Sequence, residues 1–256
     1  MKLVNVGYAN IYASPSFQSG ITTQAILGET LDVLDQREDW FYVRQWDEYE
    51  GWIYGFYVTD IPDEWEPNFH FLGQQTVVRE HPDSTSRGIR QITTGSALPG
   101  VQRDEHLWKV TLPDGVTGYV VTEESVRFES DFPDNVLRTA QQFLGTTYFW
   151  GGKTPLGFDC SGFVQTVFRI NDILLKRDAY MQAEQGKRLT SRGELSAGDL
   201  VFFREREKVS HVGIALDGEQ YIHCSGFVRI NSFNPDASNY RKHLDNIYVA
   251  ANRIVE

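Results

Sequence analysis

The chain opens in alternation. In "ETLDVLDQ", "WFYVRQW" and "YEGWIYGFYVTDI" apolar and polar positions trade places along the run, the period of a strand with one buried face. Glycine and acidic residues punctuate these runs as turns do. From about Asn68 a similar order returns, with "FLGQQTVVREHPD" leading into "GSALPGVQRDEHLWKVTLPDGVTGYVV". Both "EDWFYVRQWDEYEGWIYGFYV" and "EHLWKVTLPDGVTGYVVTEESV" pass from an acidic residue through Trp and an alternating strand to a turn and a Gly-aromatic strand. This weak repeat, about sixty residues long, predicts a small all-β barrel present twice.

The period changes at "ESDFPDNVLRTAQQFLGTTYFWGG". Asp134, after Pro133, is a candidate helix cap. Val136, Leu137, Ala140, Phe143 and Leu144 recur at helical spacing until Gly145. A second helix is expected from about Cys160 to Ile170, with Phe163, Val164, Val167 and Phe168 as its apolar residues. "DLVFF", "HVGIAL" and "YIHCSG" read as strands, the last two joined at Asp217-Gly218, and "IYVAANRIV" as a final strand. Helices followed by an antiparallel sheet make an α+β domain. With boundaries near Pro62–Asn68 and Glu129–Asp131, the expected organisation is a barrel over 1–64, a second over 65–130 and an α+β domain over 131–256.

Composition narrows the function. A net charge of −11 argues against nucleic acid and anionic membrane surfaces as partners. No apolar stretch is long enough to span a bilayer. The opening "MKLVNVGYANIY" alternates like a strand and lacks a charged segment followed by an apolar run, so no signal peptide is expected and the cytoplasm is the expected compartment. A periplasmic or secreted protein without its leader would read the same way. Two cysteines cannot build a disulfide framework, and Cys160–Cys224 is the one bridge available.

In "GFDCSGFVQTVF", Cys160 stands at the start of the second helix. The helix dipole and free backbone N–H groups there favour a thiolate, and the same N–H groups can hold an oxyanion. Gly162 leaves room for a substrate backbone on that turn. A nucleophile of this kind needs a base. His211 and His223 lie on the two strands of the predicted hairpin, where His211 can take the thiol proton and His223 can orient its ring. Packing of Cys160 as a small buried hydrophobe is the plain alternative. Zinc bound by Cys160, His211, His223 and Cys224 is disfavoured, because neither C-x-x-C nor H-x-x-x-H spacing occurs. Cys224 reads as structural.

"YFWGGKTPLGFDCSGFVQTVF", "LSAGDLVFF" and "SHVGIALDGEQYIHCSG" closely resemble the NlpC-type papain-like cysteine peptidases of bacterial cell-wall metabolism, over Asp134 to Val255. The resemblance implies a papain-like α+β fold with Cys160 as nucleophile, His211 as base, His223 as third polar residue, and no metal or organic cofactor. The segment from "ANIYASPSF" to "EYEGWI" looks like the bacterial SH3-like domain fused to a subgroup of these enzymes. That subgroup cuts the γ-D-glutamyl to meso-diaminopimelate bond of murein peptides and prefers a free N-terminal L-alanine. Its SH3-like domain narrows the cleft.

By the same resemblance, Tyr49 reaches the active site, and Asp159 and Ser161 help hold the amine end of the substrate. "LLKRDAYMQ" matches a further stretch of the subgroup, in which Arg177 and Asp178 either pair to shape the cleft or contact the peptide. Tyr148 is expected near the thiol, and Trp150 as cleft wall. Two positions depart from the subgroup. Gly20 stands where a glutamate is common, and Ala179 where a small hydroxyl residue follows Arg-Asp. Both bear on the requirement for free L-alanine. The rival functions are an endopeptidase acting on polymeric peptidoglycan outside the membrane and a non-catalytic wall-peptide-binding protein. The oligomeric state is left open.

Overall fold

Trp40 and Trp108 occupy equivalent hairpins. Trp40–Arg44 pairs antiparallel with Glu50–Tyr54, and Leu107–Thr111 pairs antiparallel with Thr117–Val121. In this computed structural model, which describes residues 1–121 and 131–255, the chain forms two compact units, Met1–Arg127 and Phe128–Glu256. Within the first unit one sheet runs Ile21–Ile26, Tyr8–Tyr12, Glu50–Tyr54, Trp40–Arg44 and Thr30–Arg37, extended by Lys2–Val4 and Val58–Thr59. The second runs Gly88–Thr93, Gln75–Arg79, Thr117–Val121, Leu107–Thr111 and Gly100–Gln102. Numbered along the chain, the five strands of each set lie in the spatial order second, first, fifth, fourth, third, so the repeat in the sequence is a repeat of topology.

The alternation seen in the sequence has its cause in two cores. Val4, Ile11, Leu31, Val43 and Ile53 turn inward in the first half, and Phe69, Val78, Ile92, Val110 and Val120 in the second. Leu27, from the first half, is buried in the second core, and its carbonyl accepts the Ala97 N–H at 3.2 Å. Next to it Gly28 has φ +86°, and a Cβ there would lie 1.9 Å from the Ala97 oxygen. Only glycine serves there. The sequence boundary at Pro62–Asn68 falls before the second set of strands, which begins at Phe69. Of the boundary at Glu129–Asp131, the first two residues lie outside the described residues.

The second unit begins with α1, Asp134–Gln142. Pro133 rather than Asp134 is its N-cap, and no side chain caps it. Asp134 is the first helical residue, where its charge meets the positive end of the helix dipole. Helix α2 spans Cys160–Arg169, and residues 160–168 of it are buried. It lies on a six-stranded sheet ordered Lys187–Arg188, Tyr248–Arg253, Leu200–Phe203, His211–Ala215, Gln220–Ser225, Phe227–Ser232, with every neighbouring pair antiparallel. Phe163, Val164, Val167 and Phe168 of α2 pack with Val212, Ile214, Ile222 and Cys224 in one core, while Val201, Phe203, Tyr221 and Phe233 form another cluster. The strand pleat sends alternate residues into each.

Two short helices complete the unit, α3 at Ala179–Gln182 and α4 at Lys242–Ile247. The strands Phe227–Ser232 and Lys187–Arg188 are additions to those expected from the sequence. Among the described residues no helix is long and apolar enough to cross a membrane.

Candidate active site

Asp159 builds the start of α2. Its Oδ1 accepts the Gly162 N–H at 2.6 Å as an N-cap, which turns the chain and sets Cys160 as the first helical residue. The sulfur then reaches the sheet where two strands have parted. His211–Ala215 and Gln220–Ser225 register only at Ile214 with Ile222 and Ala215 with Tyr221, so the end bearing His211 is unpaired on this side. Cys160 Sγ sits 3.9 Å from the Ser210 carbonyl, and the N–H groups of Val212 and Ser161 point at it. The sulfur is therefore held by the residues on either side of His211.

His211 and His223 meet as expected from the hairpin. Nε2 of His211 lies 2.6 Å from Nδ1 of His223, with the rings at 80° to each other. His223 is 0% exposed, and its Nε2 lies 2.8 Å from Oδ1 of Asn231. Asn231 was not a candidate from the sequence. It sits on the unanticipated strand Phe227–Ser232, where the apolar Val228 and Ile230 alternating with Arg229 and Asn231 were the available signal.

Burial works against the ionised sulfur that the helix start favours. Cys160 is 7% exposed, and desolvation, followed by the Asp159 charge, pushes its thiol up to about 12, against the N–H groups of Val212 and Ser161 and the Arg177 charge. Desolvation also holds His211 well below 6.5, helped by His223 and Arg229, and lowers His223 to about 4. Burial thus favours the uncharged form of both groups. The helix-end rule captures the dipole but not the loss of water, which here is the larger effect.

The Asp159 carboxylate is heavily engaged. Besides Gly162, Oδ1 accepts from Ser161 Oγ at 3.2 Å and Arg177 Nη1 at 3.1 Å, and Oδ2 accepts from Gly151 N at 3.0 Å and Arg177 Nη2 at 2.6 Å. Arg177 also donates to Ser161 Oγ at 3.0 Å. Asp178 is half-buried at the head of α3. Gly162 serves the fold rather than a substrate backbone, because a Cβ there would be 2.1 Å from the Gly152 oxygen. The half-buried Tyr148 packs against the core cluster that includes Cys160, and burial, then the Cys160 charge, raises its hydroxyl pKa. Trp150 is exposed. Tyr49 lies in the first unit, on the turn before Glu50–Tyr54, where its N–H donates to Asp47 Oδ1 at 3.1 Å. Both cysteines are free thiols, so the bridge is not formed, and Cys224 Sγ donates to the Phe158 carbonyl at 3.1 Å in the core.

Known proteins resemble this chain over both units. The profile of the NlpC/P60 family matches residues 145–248, and that of the bacterial dipeptidyl-peptidase SH3 domain matches residues 11–54. Dipeptidyl-peptidase 6 of Lysinibacillus sphaericus is 30% identical over 92% of this chain and 93% of its own length. A gamma-D-glutamyl-L-lysine dipeptidyl-peptidase of Bacillus cereus is 27% identical over 79% of this chain and 67% of its own. The crystal structure of an NlpC/P60 family protein from Bacillus cereus superposes with a TM-score of 0.86 over all of both chains at 22% identity, which speaks to the fold. The chain belongs to the NlpC/P60 family of cysteine peptidases and joins its papain-like domain to an N-terminal SH3-like domain.

Proposed function

We propose that this protein hydrolyses the amide bond between γ-D-glutamate and a diamino acid, meso-diaminopimelate or an L-diamino acid, in short murein peptides with a free N-terminal L-alanine. Its role is then the recycling of cell-wall peptides, and we place it in the cytoplasm as part of the same proposal. One observation carries the chemistry: the hydrogen-bonded rings of His211 and His223 lie at the strand end that grips the Cys160 sulfur. The bond chosen rests on the likeness along 92% of the chain to a dipeptidyl-peptidase and on the γ-D-glutamyl-L-lysine specificity in the name of a second relative.

Cys160, His211 and His223 are the catalytic residues of this proposal. As Sγ attacks the carbonyl carbon, its proton passes to His211, the C–S bond forms and the carbonyl electrons move to oxygen. Backbone N–H groups at the start of α2, that of Ser161 among them, hold the oxyanion. Collapse breaks the C–N bond, and the departing amine takes the proton from His211. Water then attacks the thioester while His211 accepts its proton, the acyl group leaves as a carboxylic acid, and the thiol is restored. Starting from the neutral pair, His211 works as a true general base.

For the substrate we assign Tyr49, Asp159, Ser161, Arg177 and Asp178. Asp159 and Arg177 are engaged with each other and shape the floor beside the sulfur, with Ser161 bound to both. On the resemblance, Asp159 and Ser161 hold the amine end of the substrate, where an ammonium meets a carboxylate and a hydroxyl, and the half-buried Asp178 contacts the peptide. Tyr49 is included on the resemblance alone. We also read the first unit as two SH3-like barrels, 1–64 and 65–130, before a peptidase domain at 131–256, supported by the strand order common to both sets.

Mass spectrometry of products from a muropeptide panel tests the function. L-Ala-γ-D-Glu-diaminopimelate is expected to yield L-Ala-γ-D-Glu and diaminopimelate, its N-acetylated form to react slowly, and sacculi to stay intact. Release from sacculi alone would instead identify an endopeptidase of polymeric peptidoglycan. Absence of cleavage across the panel would refute the proposal.

A further inference from the structure

A neutral imidazole carries one proton, and the nitrogen that holds it cannot act as the base. Asn231 decides this for both rings. Its Nδ2 lies 2.5 Å from the Asn239 carbonyl oxygen. A carbonyl only accepts, so the amide nitrogen is fixed on that side and Oδ1 faces His223. Oδ1 also only accepts, and it lies 2.8 Å from His223 Nε2, which must therefore carry the His223 proton. Burial keeps His223 neutral, so its Nδ1 is a bare lone pair, and at 2.6 Å it accepts the Nε2–H of His211. His211 is neutral as well, which leaves its Nδ1 unprotonated.

Resting on the cysteine chemistry proposed above, we propose that Asn231 is a positioning residue. Acting through His223, it keeps His211 in the Nε2-protonated form, so that Nδ1 is the base for the Cys160 thiol.

The clamp on Asn231 is built by the loop that follows its strand. The Asn239 carbonyl also accepts the Ser232 N–H at 3.4 Å, and Asn239 Nδ2 donates to the Ile230 carbonyl at 3.4 Å. The Tyr240 N–H is held by the Ala237 carbonyl at 3.0 Å. Other groups face the histidine pair: Arg229, opposite His223 on the next strand; Tyr221, with its ring 5.1 Å from that of His223; and Phe203, packed on His211; Cys160 from α2 is bound at Ser210, the residue before His211. Arg229 lowers both histidines and so contributes to any pH profile, which is why the test changes position 231 alone.

The test compares Asn231→Leu, which removes both hydrogen bonds, with Asn231→Asp, which keeps an oxygen facing His223 Nε2. Three quantities are read: the ring ¹⁵N shifts of His211, the rate of Cys160 alkylation by iodoacetamide across pH (located by peptide mass), and kcat and KM on the tripeptide. In the wild type the His211 shifts are expected to show protonated Nε2 and bare Nδ1. In Asn231→Leu both tautomers appear, alkylation slows, and kcat falls about 10- to 100-fold with KM little changed. Asn231→Asp restores most of the rate, with its acid limb moved to higher pH by the added negative charge.

A wild-type His211 protonated on Nδ1 would overturn the proposal even if the leucine variant fails to fold. So would a folded Asn231→Leu with wild-type shifts and alkylation profile, or an aspartate variant no faster than the leucine one. The ring shifts and alkylation need no peptide. A wild type that shows the expected tautomer yet cleaves nothing would therefore refute the function and leave the role of Asn231 standing.

Discussion

Arg177 lays its guanidinium along the Asp159 carboxylate, Nη1 to Oδ1 at 3.1 Å and Nη2 to Oδ2 at 2.6 Å, and is itself 1% exposed. The pair is fixed at the N-cap that sets the position of Cys160. Removing one partner of a buried ion pair leaves a charge without compensation, at a cost of roughly 3–5 kcal/mol. Arg177→Met is expected to lose stability on that scale in urea unfolding, and peptidase activity with it. A variant within about 0.5 kcal/mol of wild type would show that Asp159 does not depend on this arginine.

Gly162→Ala is expected to damage the site without touching a reactive group. The new Cβ would meet the Gly152 oxygen at 2.1 Å and its carbonyl carbon at 3.2 Å, and backbone cannot swing aside as a side-chain tip can. The first turn of α2 must shift, which costs about 1–3 kcal/mol and moves the sulfur from the Val212 N–H. Steady-state kinetics should show kcat/KM lower by at least about tenfold. Unchanged kinetics would mean that the contact between the two glycines is looser than the structure has it.

Burial of His223 makes stability depend on pH. Its pKa falls from 6.5 to about 4 on folding, so between those values the unfolded chain binds the extra proton and acid favours unfolding. The contribution is complete above about pH 6.5 and is lost as pH drops toward the folded value, in total about 3 kcal/mol. In an NMR titration of the folded protein the His223 ring should stay neutral until well below pH 6. A midpoint near 6.5 would contradict the burial argument.

Much of this site is legible from the residues. Asp159-Cys160-Ser161-Gly162 ahead of an apolar run marks the helix start, and Asp217-Gly218 between two alternating strands brings His211 and His223 together. Other parts depend on pairing at a distance. Nothing local to Arg177 in the chain shows that its bidentate bond goes to Asp159, eighteen residues away. Asn231 becomes visible only once Phe227–Ser232 is paired with Gln220–Ser225. The helix terminus that favours a Cys160 thiolate can be recognised in a sequence, whereas the removal of water that opposes it cannot.

In the proposed mechanism the Cys160 sulfur forms the bond to the substrate carbonyl carbon. Cys160→Ala, incubated with L-Ala-γ-D-Glu-diaminopimelate and followed by mass spectrometry, tests it most directly. A loss of at least about 10⁴-fold in turnover is expected, with the unfolding midpoint close to that of wild type. Turnover within tenfold of wild type by the folded alanine variant would contradict it.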